Sequence, residues 1–548
     1  MNPPNSQPQN GQSLGFSSSN VDVPPIPGMG QQVEPSNPPV SVANKDAQPE
    51  PVPAPSVPPL PAVESEASQS QSPVDPSPIA PPPPPSAPPP PPAAQSNVVS
   101  GGNKRGFPKI LIVLLVLILG IAGIFFLVTR LMSGGSATQA AELTWWGLWE
   151  EEATVAPIIA DYQAQNPGIT VKYVKQSKED YRERLASALA SGQGPDIFTM
   201  HNSWVPMFAN SLSPIPSSVM SAQTFAERYY PVMVSDLTRG SSIVGLPTGY
   251  DGLGLFINDE IFTTYGKNPP TTWNQLRDLA TEMTINESGI IKQSGVALGN
   301  AKNVDHWQEI VALLMIQNGV DLKEPTGDLA EQVMTFYTQF QNTDKVWDET
   351  LPSSTVAFAG GKVAMIIAPS WRVHEIKQIN PSLNFRVIPV PQLEKLSPDE
   401  PDITYASYWV SSVGSRSKSS AQAWAFVNFI SSRETLEKLY AQVRNIRAFG
   451  QPYPLVEMRN LVSDDPFVGG IISYAGNARS WYLASRTWDG QTGINSKLSK
   501  YFEDAINTLT VRAGSSQQVS SALDTLSLGV NQVLSEYGLA TPIPVPVN

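Results

Sequence analysis

Residues 142–204 read ELTWWGLWEEEATVAPIIADYQAQNPGITVKYVKQSKEDYRERLASALASGQGPDIFTMHNSW. Glu142–Gly147 is a short apolar strand. In Glu151–Asn166 the residues Val155, Ile158, Ile159 and Tyr162 recur at helical spacing. Acids fill the first turn, where they suit the helix dipole. NPGI (166–169) stops the helix, as Pro and Gly usually do. Ile169–Val174 alternates like a strand, Lys178–Ser191 is a second helix ended by GQGP, and Pro195–Met200 is a third strand. A β-α-β-α-β order predicts an α/β fold with a parallel sheet and helices on both faces. Ligands of such sheets bind beyond the C-terminal strand ends. The loops there carry Trp146, Leu148, Trp149 and Glu150, then His201, Asn202, Ser203 and Trp204.

Upstream the chain changes character. Ile110–Val128, ILIVLLVLILGIAGIFFLV, has no charged residue. As a helix it measures about 28 Å, close to the hydrocarbon thickness of a bilayer. It has no polar face, so residues 107–132 are read as one transmembrane helix rather than a core helix. Lys104, Arg105 and Lys109 precede it and Arg130 follows. That excess puts the N-terminus in the cytoplasm and the larger part outside the cell membrane. The alternative is a cleaved signal peptide, with Thr138 and Ala140 as a weak cleavage site. The sequence has no cysteine, which excludes disulfides, thiolate metal sites and a lipidated cysteine anchor.

Residues 1–106 form the tail. Of the 54 prolines, 29 fall in residues 1–100, and Phe16 is the one aromatic there. Such composition cannot bury enough apolar surface to offset the entropy of ordering. Residues 81–92, PPPPPSAPPPPP, hold ten prolines and favour extended polyproline II. The plain expectation is a disordered cytoplasmic tail; the sharper one is a ligand for a proline-recognising partner. The net charge of −13 argues against nucleic acid as a partner.

Residues 133–141 are a linker, and residues 142–548 carry all twelve tryptophans. Within them, ITVKYV and YRERLASALASGQGPDIFTMHNSW open a series of blocks. IVGLPTGYDGLGLFINDEIF (243–262), PPTTWNQLRDLATEMT (269–284), FAGGKVAMIIAPSW (358–371) and YWVSSVGSRSKSSAQAWAFVNFISSRE (408–434) follow in order. Together these resemble the extracellular solute-binding proteins of the bacterial sugar-binding type. Those are receptor subunits of ABC importers, similar to maltose-binding protein. The resemblance implies a two-lobed periplasmic-binding-protein fold, the venus-flytrap, with a sugar or oligosaccharide in the cleft and ABC permease subunits as partners. It implies one lobe from residues 142–251 and about 412–450, and another from 258–407 and 453–548. The crossings fall near Gly252–Asn258, Tyr408–Val413 and Phe449–Tyr453. Family members usually carry a signal peptide or a lipidated cysteine, whereas this chain has a long tail and a retained span.

The resemblance matches Trp371 to a ligand-stacking tryptophan and Asp251, beside Tyr250, to an acidic or amide ligand group. Trp149, Glu150, Asn202 and Trp204 are expected at first-lobe strand ends. The segment NARSWYLASRTWDG (477–490) adds Trp481 and Trp488, read either as ligand-facing or as packing. Trp273 reads as core behind the cap of TTW (271–273), and Trp424, Phe426, Phe429 and Ile430 as the buried face of a helix.

Catalysis is not expected. His201, His306 and His374 are far apart in sequence, and neither a G-x-S-x-G elbow nor a Walker loop occurs. Glu150–Glu151–Glu152 reads as a solvated helix start rather than glycosidase carboxylates. No cofactor or metal is expected. The rival readings are a surface-attached carbohydrate-binding or sensing module with a docking tail, and a secreted carbohydrate-active enzyme.

Overall fold

A computed structural model describes residues 140–511 and 515–541. The expected tail (1–106), transmembrane helix (107–132) and most of the linker lie outside the described residues. Among the described residues no helix is long and apolar enough to cross a membrane.

The described strands build two five-stranded sheets and one short hairpin. In the first sheet the order is Ile169–Lys175, Ala141–Gly147, Ile197–His201, Trp409–Val413, Leu246–Pro247. The first three are parallel, as the alternation predicts. The fourth corrects the expectation of an all-parallel sheet: Trp409–Val413 runs antiparallel to Ile197–His201, with Trp409 opposite His201. The chain returns from the second sheet at the C-terminal end of Ile197–His201, so it runs back along it. The second sheet has the order Phe385–Ile388, Leu253–Asn258, Val363–Pro369, Ile290–Val296, Ile285–Glu287. Leu253–Asn258 and Val363–Pro369 are buried at every position. Strands covered on both faces read as near-continuous apolar runs, which is what LGLFI and VAMIIAP are.

Helices cover both sheets. Glu152–Gln165 buries Val155, Ile158, Ile159 and Tyr162. Its neighbour Ser420–Ile430 buries Trp424, Phe426 and Ile430, and Phe426 meets Tyr162 edge-on at 4.9 Å. Trp273–Glu282 starts where Thr272 accepts from the Gln275 N–H. Trp273 is 1 % exposed and donates its indole N–H to Gln317. The C-terminal helices Ile494–Val511 and Ser516–Glu536 pack together and on Gly327–Asn342.

Between the two sheets the chain crosses three times, and the crossings lie side by side. Gly252 bridges Ala406 in antiparallel fashion. The Leu253 N–H donates to Tyr405 O at 3.0 Å and the Ser407 N–H to Asp251 O at 3.0 Å. The Tyr250 N–H donates to Pro452 O at 2.8 Å, which adds the third crossing. A Cβ on Gly252 would sit 2.5 Å from Tyr405 O, a backbone atom that cannot swing away. Gly252→Ala is therefore expected to cost about 1–3 kcal/mol and lower the Tm. Gly476→Ala, which meets nothing within 4 Å, is the control expected to leave the Tm in place. Equal melting of the two variants would mean that the crossing tolerates a side chain.

Candidate functional site

Val363–Pro369 ends at Ser370 and Trp371, and helix Arg372–Ile379 follows at once. That abrupt turn holds Trp371 at the surface. It is 38 % exposed, and Trp149 is 39 % exposed; they are the two exposed tryptophans among the described residues. Trp371 is backed by charge and by a second ring. The Arg372 guanidinium lies 4.4 Å from its ring centroid, and His306 meets it edge-on at 5.4 Å. Arg372 is buried, paired with Asp305 at 3.4 Å and with Glu375.

Trp149 stands on the other lobe, in the loop after Ala141–Gly147. Its ring lies edge-on to Trp409 at 5.1 Å, and Trp409 meets His201 at 5.1 Å and Trp204 at 5.5 Å. His201 is buried, and burial pushes its imidazole down to about 3, with the charge of Glu309 opposing. It is neutral at pH 7 and bridges Ser203 Oγ at 2.7 Å and Ser407 Oγ at 3.0 Å. Glu309 belongs to helix Trp307–Gln317.

Glu150 is committed to an ion pair with Arg447 at 2.6 Å. Its backbone oxygen accepts from the Tyr173 hydroxyl. His374, in the helix after Trp371, stacks on Phe449 at 4.4 Å. Burial and then the charge of Arg447 push His374 down to about 4. The third crossing thus brings Arg447 and Phe449 to both lobes.

Four of the expected ligand residues lie inside the structure. Trp204 and Tyr250 are both 0 % exposed. The turn Asn202–Trp204 rotates Trp204 into the core beside Tyr181 and Phe208. Tyr250 packs on Tyr230. Asn202 donates to Asp236 at 2.9 Å and accepts from the Tyr408 N–H. Asp236 also accepts from Tyr408 and Ser480, which locks the segment around Ser480 to the first lobe. Asp251 accepts from the Ser370 N–H and hydroxyl and from the Gly252 N–H, so its carboxylate fastens the crossing to the Trp371 turn.

Trp481 and Trp488 are half-buried. Trp481 packs edge-on against Phe502. Trp488 has Lys178 over its ring and opens on a groove of about 880 Å³ with Arg486, Gln308 and Lys500. Neither Trp149 nor Trp371 lines that groove. Trp409, Arg372, Glu309 and Ser485 complete the surroundings of the two exposed rings, and sequence reasoning missed all four. Arg372 follows Trp371 directly, and Trp409 opens the strand that returns to the first sheet, so both were within reach. Glu309 and Ser485 left no such signal. Among the described residues no group of three His, Asp or Glu is placed to hold a metal ion.

Burial pushes the Asp251 carboxyl up to about 6, against hydrogen bonds from Ser370, Gly252 and Trp371. An unfolded aspartate titrates near ~3.9. Between those values the folded chain keeps a proton that the unfolded chain releases. Asp251 therefore favours folding most at low pH and loses that contribution as pH rises through about 6. Asp251→Asn removes the titration, so the Tm of the variant minus that of the parent is expected to grow between about pH 4 and pH 7. A difference independent of pH would show that Asp251 keeps an ordinary titration.

Residues 157–449, more than half of the chain, match the family described as bacterial extracellular solute-binding protein. The chain is 22 % identical to a putative ABC transporter periplasmic-binding protein of Escherichia coli, over 40 % of this chain and 53 % of that protein. It thus spans about half the length of that relative. It is 20 % identical to the maltotriose-binding protein of Pyrococcus abyssi, over 61 % of this chain and 72 % of the relative. The structure of the sugar-binding protein MalE from Xanthomonas citri superposes with a TM-score of 0.58 at 17 % identity, covering 72 % of this chain and 98 % of that one. That likeness is one of fold: two lobes of mixed α/β structure. The chain belongs to the bacterial extracellular solute-binding protein family.

Proposed function

We propose that this chain is a membrane-anchored, extracytoplasmic receptor that binds a neutral oligosaccharide and passes it to the permease of an ABC importer. The observation that carries the reading is the pair of exposed tryptophans, Trp371 and Trp149, one on each lobe, Trp371 packed on buried Arg372 and Trp149 on half-buried Trp409. Indole faces suit the apolar faces of sugar rings, and a few fixed polar groups give orientation. The Pyrococcus abyssi relative is named for maltotriose, which supports this ligand class.

Charge supports a neutral ligand. Glu150 is paired with Arg447, and Arg372 with Asp305 and Glu375. A cationic ligand on Trp371 would meet a ring that already has a guanidinium behind it, which weakens a second cation–π contact. The anchor rests on Ile110–Val128 and the Lys/Arg excess before it. The lobe division of residues 142–251 with 412–450, and 258–407 with 453–548, is part of the same reading. The run at 81–92 is a docking ligand for a cytoplasmic partner in the sensing-module version of it.

The purified full-length chain is to be titrated calorimetrically with maltotriose, mannotriose and, as a cationic control, choline. An oligosaccharide is expected to bind and choline not. Trp371→Ala and Trp149→Ala are each expected to lose about 1–3 kcal/mol, tenfold or more in affinity, with the ligand-free Tm kept. Melting of the ligand-free variant together with normal binding by its folded fraction would place Trp371 in the core and sink the aromatic-cleft reading.

A further inference from the structure

Behind Trp371 runs a hydrogen-bond chain whose direction is fixed from one end. Arginine has no acceptor, so Arg372 Nε–H donates to His306 Nε2 at 2.8 Å. That nitrogen carries a lone pair, and the imidazole proton sits on Nδ1. Nδ1 lies 2.8 Å from Ser485 Oγ and donates to it. The Ser485 hydroxyl then donates to Glu309 Oε1 at 2.9 Å, and the Ser485 N–H donates to the same oxygen at 2.8 Å. The chain therefore runs from a guanidinium through a neutral imidazole and a hydroxyl to a carboxylate. Arg372, His306 and Glu309 are each 3 % exposed.

Two further features single out this chain. His306 holds φ at +63°, a left-handed conformation that non-glycine residues take only where the surroundings over-determine it. Among the described residues Glu309 Oε2 is buried with no hydrogen-bond partner, a cost that a network selected for stability alone would avoid.

We infer that Glu309, Ser485 and His306 are positioning residues for the Trp371 ring: they press Arg372 flat on its rear face and couple the loop bearing Ser485 to it. The inference rests on Trp371 being a ligand platform. With Arg372 over the ring and His306 against it, the exposed part of Trp371 is what a ligand can reach. Rotation of the ring would break the cation–π contact with Arg372 and disturb the chain down to Glu309. The loop Ala484–Gln491 and the ring then move as one unit.

The test reads the ring with and without ligand. The full-length chain is labelled with 5-fluorotryptophan, and the Trp371 resonance is assigned by its loss in Trp371→Phe. Ser485→Ala removes one hydroxyl and cuts the chain at its middle. It is expected to shift or broaden the Trp371 resonance in ligand-free protein with the Tm unchanged, and Ser485→Thr is expected to restore it. Maltotriose affinity is expected to fall about tenfold in Ser485→Ala, the equivalent of about 1.4 kcal/mol, and to return in Ser485→Thr. An unmoved resonance overturns the inference, as does one that Ser485→Thr leaves displaced. A displaced resonance with unchanged maltotriose affinity overturns the link to binding. If the parent chain binds no oligosaccharide, the function proposed above fails, while the ligand-free resonance still decides whether these residues hold the ring.

Discussion

The arrangement depends on three strands of backbone passing side by side between two sheets. At Gly252 the approach to Tyr405 O leaves no room for a side chain, and Asp251 next to it ties both ends of the passage. Its backbone oxygen takes the Ser407 N–H, and its carboxylate takes the Ser370 N–H and hydroxyl. One residue thus fixes the outgoing crossing, the returning crossing and the turn that presents Trp371. Chain entropy favours such economy: each lobe is assembled from distant segments, and pinning them at one place limits the loop ordering that must be offset elsewhere.

From that passage the electrostatics of the site follow. Arg372 and Arg447 are paired with carboxylates, Asp236 and Asp251 accept from amide, hydroxyl and backbone donors, and His201 is kept neutral by burial. Buried ionic groups without partners would cost several kcal/mol each, so pairing is the condition for placing them here at all. What stays exposed beside these groups is the aromatic surface of Trp149 and Trp371. The aromatic ladder Trp149–Trp409–His201 on one lobe and the Arg372–Trp371–His306 stack on the other are built alike. In each, a partly exposed indole packs on a half-buried or buried neighbour, which restricts its side-chain freedom.

The sequence made the strand–helix alternation legible because burial imposes its period on apolar residues. It placed Trp371 and Trp149 just past strand ends, and both are exposed there. It was silent on which way a residue turns after the strand ends. Asn202 and Trp204 lie at the strand end where ligand groups were expected, but a single tight turn carries both inward. Asp251 has the chemistry of a ligand group, yet its partner Ser370 is 119 positions away. The support of Trp371 is less legible still, since His306 and Ser485 are 179 positions apart and meet only through the fold. Local pattern carries periodicity and termini; partner choice for buried polar atoms is a property of the tertiary structure.

The same long-range contacts bear on how the lobes move. The segment after Ser480 is fastened to the first lobe at several points. Ser480 donates to Asp236 at 2.6 Å, Asn495 donates to Ser203 at 2.7 Å and Arg182 donates to Thr492 at 2.5 Å. Gly490 lies against Glu183, where a Cβ would collide. Each net hydrogen bond is worth about 0.5–1.5 kcal/mol, rather more where a charge takes part. Breaking this edge in a domain opening therefore costs a few kcal/mol, the same order as one stacked ring contributes. A ligand can shift the balance between two states only by its differential affinity for them. The helices Ile494–Val511 and Ser516–Glu536 are packed on the second lobe while the start of the first of them is bonded to Ser203. Any opening must accordingly part Asn495 from Ser203 or carry the helix pair along with the first lobe, and the packing on Gly327–Asn342 opposes the second course.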